Sequence, residues 1–305
     1  MENETLFHFT MFENMGNSRY IFFSFGLVVY CLILVFNMTI IFVIILESAL
    51  HEPMYILISC LSINALYGTA GLFPRLLTDL ISYSHTISRH GCHVQAFIIY
   101  TYASYEFTIL MLMAYDRYVA ISKPLQYHII ITPKNLALMI VMAWICPVLS
   151  IGSGFILTAR LKLCGHDLTK LYCSNWVIVR LSCTDTSLNN IFGFVVLITT
   201  VFIPLCFILF SYVKILIICQ RNSSEFRRKA YHTCLPHMIT FVNYSITILC
   251  EITFSRYEDG VFPVAVAVIL SLEFLVIPPL LNPLIYGLKF PDIRRKIEHI
   301  LKMAK

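Results

Sequence analysis

The chain is predicted to be an all-α membrane protein, a seven-transmembrane-helix bundle with a short amphipathic C-terminal helix, and three observations predict it. Its 305 residues are 58% hydrophobic and only 13% charged, with a mean hydropathy of +0.78, which a soluble domain of this length could not keep in water. Seven apolar stretches each approach or exceed the roughly 20 residues that a helix needs to cross the hydrocarbon core. Lysine and arginine are also unevenly shared between the two sets of stretch ends, 14 against 8, as the positive-inside rule requires of a threaded chain.

Residues 1–19 mix polar and aromatic side chains without a basic start and short apolar core, so no cleavable signal is expected and the first span serves as its own insertion signal. Spans one, two and four, at 20–46, 54–74 and 136–159, hold no charged residue. Span three, 94–115, admits only Glu106; span five, 188–213, admits none. Span six, 230–250, is interrupted by His232 and His237, and span seven, 262–288, carries only Glu273. Arg221, Arg227, Arg228, Lys229, Arg294, Arg295 and Lys296 supply most of the basic excess and place their ends in the cytosol. One domain over 1–305 is therefore expected in the plasma membrane, with an extracellular N-terminus at 1–19, a bundle at 20–288 and a cytoplasmic tail at 289–305. Within that tail, 290–302 alternates Ile293, Ile297, Ile300 and Leu301 with basic residues, as a helix lying on the inner lipid surface would. The net charge of +5 is split among separate loops, which suits attraction to anionic lipid and not a nucleic-acid surface.

Chemistry is concentrated at few positions. Asp116 and Arg117 stand where span three leaves the bilayer; an arginine there is costly unless a carboxylate or water compensates it, so the pair can be rearranged by a conformational change or a docking protein. In span seven, Pro283 removes a helix hydrogen bond, and the Asn282 amide is expected to bridge freed carbonyls and make a two-state kink. Cys92 precedes span three, while Cys164, Cys173 and Cys183 lie in a connection of about 30 residues between spans four and five. All four face the oxidising side, where bridging is expected, and spacing leaves three pairings open. Cys31, Cys60, Cys146, Cys206 and Cys250 lie within spans and serve as small packing residues.

Met113-Ala114-Tyr115-Asp116-Arg117-Tyr118-Val119-Ala120-Ile121 resembles the signature of vertebrate odorant receptors, a branch of the rhodopsin-like G-protein-coupled receptors. Pro53-Met54-Tyr55, Trp144, Ser211-Tyr212, Lys229-Ala230-Tyr231-His232-Thr233-Cys234 and Pro279-Leu280-Leu281-Asn282-Pro283-Leu284-Ile285-Tyr286 resemble the same family. Cys164-Gly165, Tyr172-Cys173 and Leu181-Ser182-Cys183-Thr184-Asp185-Thr186 resemble its long second extracellular loop. The resemblance implies a receptor of olfactory sensory neuron cilia that binds a small-molecule odorant from outside. It also implies a partner, a heterotrimeric G protein of the stimulatory olfactory type, and a rise in cyclic AMP. Asp116, Arg117, Tyr118, Tyr212, Asn282, Pro283 and Tyr286 become the switch, with Arg117 and residues 122–127 and 227–229 meeting the G protein. Cys92 would pair with Cys173 and Cys164 with Cys183, and Glu106 would be the buried span-three acid.

The chain departs from that family at two places. Phe36 stands before Asn37 where a glycine is usual, and Ala65 occupies the position of the span-two acid, with Asn64 about 100° round the helix. The family's sodium pocket thus lacks one carboxylate, and Glu106 bonded to Asn64 or Asn282 is the alternative. A ligand pocket is expected among Ile99, Tyr100, Ala103 and Ser104 of span three, Leu197, Thr200 and Val201 of span five, and Ser245, Ile248 and Leu249 of span six. Glu273 and Glu251 could meet a cationic odorant, the alternative being ion pairs with Arg75 or Arg256. Of four glycosylation sequons, at Asn3, Asn37, Asn222 and Asn243, only Asn3 is lumenal in this topology.

Other classes fit less well. Span seven has no lysine to hold retinal. A transporter or channel, the runner-up, should show repeats or glycine-broken half-helices. No metalloprotease or serine-hydrolase motif points to an enzyme, no cofactor is called for, and His85, His90 and His93 are expected to be solvated loop residues and no metal site.

Overall fold

A computed structural model of the chain describes residues 6–13, 15–256 and 264–303. Asn3 lies outside the described residues, as do the side chains of Arg227, Lys229 and Arg256. A strand β1 (Leu6–Phe9) leads into α1 (Ser18–Leu46) and α2 (Pro53–Ile81), then β2 (Thr86–Ser88) and α3 (Arg89–Ser122). After the short α4 (Tyr127–Ile130) come α5 (Pro133–Ala159), β3 (Asp167–Leu168) and α6 (Asn175–Arg180). The fifth span is α7 (Ser187–Leu197) and α8 (Ile203–Gln220), joined through a π turn at Ile198–Phe202. The chain closes with α9 (Ser224–Arg256), α10 (Val264–Lys289) and α11 (Pro291–Met303).

Among the described residues, six helices are long and apolar enough to cross a membrane. The seventh, α10, is 26 residues long and apolar, and α11 departs from it by 88°. The spans extend beyond their apolar stretches, and two of them start on a polar cap: Ser88 Oγ accepts from Gly91 N at the start of α3, and Thr132 Oγ1 from Asn135 N at the start of α5. Pro53 and Pro133 occupy first turns, where a missing N–H is harmless.

The helices close into a ring in which α1 packs on α2 and α10, α9 on α10, and α3 runs through the centre against α2, α5, α8 and α9. Outward faces are apolar, Ile21, Phe25 and Ile45 of α1 or Leu138 and Leu149 of α5 being exposed as lipid solvent allows. Between α2 and α3 the backbones come close because Gly68 and Gly71 carry no side chain; a Cβ there would overlap Tyr102 and Ile98.

A proline inside a span frees the carbonyl four residues back, and for three of them a neighbouring helix supplies the donor. Pro283 frees the Pro279 carbonyl, which accepts from Asn37 Nδ2 at 2.8 Å. The Phe274 carbonyl, freed by Pro278, accepts from the Tyr102 hydroxyl at 3.1 Å. Likewise Pro147 frees Ala143 O, which Thr108 Oγ1 meets at 3.2 Å. The expectation that Asn282 bridges the freed carbonyls of span seven is thus corrected: Asn37 of α1 and Tyr102 of α3 each meet one, and Asn282 turns to Glu106 instead.

At one end, here the disulfide end, β1 pairs antiparallel with β2 and parallel with β3. This small sheet, absent from the sequence expectation, buries Phe7 and Phe9 with Phe12 behind them. Arg75 holds Asp79 through two bonds of 2.7 Å and donates to Thr86 O, tying α2 to β2. The Asp116 end is closed by α11, where Tyr55 donates to Asp292 Oδ2 at 2.9 Å, Lys296 meets Glu47 at 2.7 Å, and Ile293 is buried on the bundle side.

Candidate ligand cavity and switch

Cys92 is bonded to Cys173, Cα atoms 5.3 Å apart, and Cys164 to Cys183, Cα atoms 5.5 Å apart, the pairing that the resemblance implies. The first bond fixes the loop on the top of α3, and Gln95 reinforces it by accepting from Cys173 N and donating to Gly71 O. Residues following Cys173 are thereby drawn across the mouth of the bundle, where α6 forms a lid.

Below the lid is a cavity of about 200 Å³. Ile99, Tyr100, Ala103 and Ser104 of α3, Leu197, Thr200 and Val201 of the fifth span, and Ile248 of α9 line it. Three residues expected with them do not. Ser245 is buried a turn deeper, Leu249 is 41% exposed and faces away, being about 100° from Ile248 on the same helix, and Glu273 is half-buried beside the lining residue Phe274. The sequence reading missed Tyr172, Asn175, Trp176 and Val179 of the lid and Asn189 and Asn190 of α7. The lid residues carried a signal, since whatever follows a cysteine tethered to the top of span three must cross the bundle mouth.

Glu251 also lines the cavity. Its Oε1 accepts from Lys170 Nζ and from the Tyr172 hydroxyl, each at 2.7 Å, and Lys170 is only 3% exposed. Glu251 therefore pairs with a loop lysine, while Arg75 is taken by Asp79. Tyr100 and Ser174 share a hydrogen bond of 3.2 Å between lining and lid.

Midway down α3, Glu106 is 1% exposed and accepts from two amides, Asn64 Nδ2 at Oε2 and Asn282 Nδ2 at Oε1, both at 2.8 Å. The two asparagines weighed as alternatives act together and join α2, α3 and α10 through one carboxyl group. Ala65 is buried beside this cluster's helix without a polar group to add.

At the far end of α3, Asp116 is 2% exposed. Its Oδ2 accepts from Arg117 Nε at 3.0 Å and Nη2 at 2.6 Å, and its Oδ1 from the Tyr127 hydroxyl at 2.6 Å. Tyr127 lies on α4, outside the spans; burial first and the Asp116 bond second raise its pKa above the ordinary tyrosine value, so the phenol stays a donor. The sequence reading placed Tyr127 in the 122–127 loop, but nothing local marked its hydroxyl as a donor to Asp116. Tyr118 is half-buried, while Tyr212 and Tyr286 are buried, Tyr286 lying 3.3 Å from His237 Nδ1 and Pro283 one turn before it.

A ring of apolar helices, a lidded cavity at one end and a buried ion pair at the other define an all-α multi-pass membrane protein with the architecture of a seven-helix receptor. The family model described as olfactory receptor matches residues 25–304. The chain is 34% identical to human olfactory receptor 52K1 over 277 residues, 90% of this chain and 87% of that one. With human olfactory receptor 6K3 it shares 32% over 99% of this chain and 90% of that one, and with human olfactory receptor 2T2 36% over 87% and 82%. The chain belongs to the olfactory receptor family.

Proposed function

We propose that the protein is an odorant receptor of the plasma membrane, with its disulfide end outside, its Asp116 end in the cytosol, and Asn3 carrying a glycan. A small molecule enters the lidded cavity and favours an arrangement in which the fifth span and α9 move apart at the Asp116 end. Asp116, Arg117 and Tyr118, with Tyr212 and the Asn282, Pro283 and Tyr286 segment, form the switch. A stimulatory olfactory G protein docks there and raises cyclic AMP.

The observation that carries this reading is that one helix holds both sites. Ile99, Tyr100, Ala103 and Ser104 line the cavity and Arg117 stands 14 residues beyond Ala103 on α3, about 21 Å along the axis at 1.5 Å per residue. The Glu106 cluster lies between, joining α3 to the proline-rich half of α10. Moving such a switch from about 1:99 to 99:1 needs roughly 5.5 kcal/mol of differential affinity, more than a ligand this small supplies easily, so G-protein binding supplies part.

The test is Arg117→Ala in reporter cells that carry the stimulatory olfactory G protein. Odorant-evoked cyclic AMP should be lost with surface delivery near wild type. Normal signalling by the variant would refute the assignment of the switch.

A further inference from the structure

We propose that the cavity selects a small neutral ligand that donates a hydrogen bond, an alcohol or phenol, and that Glu251 Oε2 receives it. The inference rests on the odorant-receptor reading and names the ligand class of that same cavity.

Glu251 is only half satisfied. Lys170 and Tyr172 both bond Oε1, whereas Oε2 is buried without a hydrogen-bond partner among the described residues. Asn175 and Asn190, which also line the cavity, each have a buried Oδ1 without a partner among the described residues. An amide can turn to present its N–H groups, but an ionised carboxylate only accepts. Glu251 therefore sets the sign of the contact: a ligand reaching Oε2 must bring a donor, and bonding a buried unsatisfied acceptor is a source of affinity.

Charge decides among donors. The Lys170 ammonium, 2.7 Å from Oε1, already neutralises Glu251, so a cationic amine would lose its hydration without gaining a net counter-charge and would face Lys170 as well. A carboxylate ligand would set acceptors against acceptors. A hydroxyl suffers neither penalty. The remainder of the wall, Ile99, Val201, Ile248 and Phe274 among it, suits an aliphatic or aromatic body. A volume of about 200 Å³ falls below the roughly 300–1,000 Å³ of pockets for drug-sized molecules, which limits that body to a small one.

The experiment compares n-octanol, octyl methyl ether, octylamine and octanoate on the full-length receptor. Cyclic AMP in reporter cells and the thermal shift of detergent-purified protein are both read. The wild type should favour octanol over the ether by about tenfold or more, as a hydrogen bond to a charged group gives, and should rank the amine and the acid below octanol. Lys170→Met with Glu251→Leu removes both charges of the pair together; octanol and the ether should then converge. Equal octanol and ether responses in the wild type, a preference for the amine or acid, or a preference surviving the double substitution would overturn the donor assignment while leaving the receptor reading intact. Silence of the wild type to all four in both readouts would overturn the ligand class and leave the receptor reading to the Arg117→Ala test. The wild-type ranking decides even where the double variant fails to reach the surface.

Discussion

The two ends of α3 are held by different kinds of bond. At the disulfide end, two covalent bridges, the three-stranded sheet and the Lys170–Glu251 pair fasten the loop over the cavity. At the Asp116 end a single carboxylate gathers Arg117 through an ion pair and Tyr127 through a hydrogen bond, with no covalent link. A site that must keep its shape between ligands benefits from preorganisation, and one that must rearrange needs contacts of a few kcal/mol that a partner can replace. The difference suits the proposed division of labour, with recognition at the fixed end and response at the loose one.

The strongest way to break that contrast is to loosen the fixed end. Cys173→Ser should cost about 2–5 kcal/mol, as loss of a native disulfide does, and appear as most of the surface signal lost by flow cytometry. Cys31→Ser, which alters an exposed thiol on α1, should leave delivery unchanged. Equal effects would mean that the bridge does not hold the lid.

Between the ends, the proline-freed carbonyls test whether donors from neighbouring helices matter in lipid. Asn37→Ala leaves Pro279 O without its α1 donor, and polar contacts between membrane helices average about 0.6 kcal/mol with a maximum near 1.7. A loss of about 1 kcal/mol in the thermal unfolding of purified protein is therefore expected, well short of the disulfide's. No loss would place the donor elsewhere.

At the loose end, Tyr127→Phe removes one donor from Asp116 and keeps the ring. About 1 kcal/mol of the resting arrangement should go, roughly a fivefold shift in its equilibrium, read as raised basal cyclic AMP with normal delivery. The sign with pH follows from the raised Tyr127 pKa: the contribution is complete below the ordinary tyrosine value and is lost only as pH rises through the raised one. Unchanged basal signalling would show that Arg117 alone holds Asp116.

The smallest effect belongs to Asp185, whose carboxylate takes the Ser187 hydroxyl and backbone N–H at the start of α7. The Ser187 hydroxyl first and its N–H second lower the Asp185 pKa. Its contribution is therefore present above the unfolded value and fades as pH falls through the lowered one. Wild type and Asp185→Asn should differ slightly in melting temperature near neutral pH and converge in acid; a gap that widens in acid would contradict the cap.

The sequence alone determined what is local or periodic. Lipid demands unbroken apolar helices of fixed minimum length, so the seven spans were legible, and the net excess of basic residues at one set of ends set the expected direction of threading. Residues at helical spacing on α3 were also legible, which is why Ile99, Tyr100, Ala103 and Ser104 fall on the cavity wall together. What depends on partners distant in the chain was not. Asn37 meets a carbonyl 242 residues away and Glu251 a lysine 81 residues away, and no spacing rule links them. Glu273 illustrates the limit: hydropathy marks a charge inside a span but not the direction in which it points, and the rotation of α10 set its neighbour Phe274, not Glu273, on the cavity. Only the tertiary packing chose which lone polar groups meet, because each of them had several donors or acceptors of equal chemistry and the geometry of the closed ring admitted one.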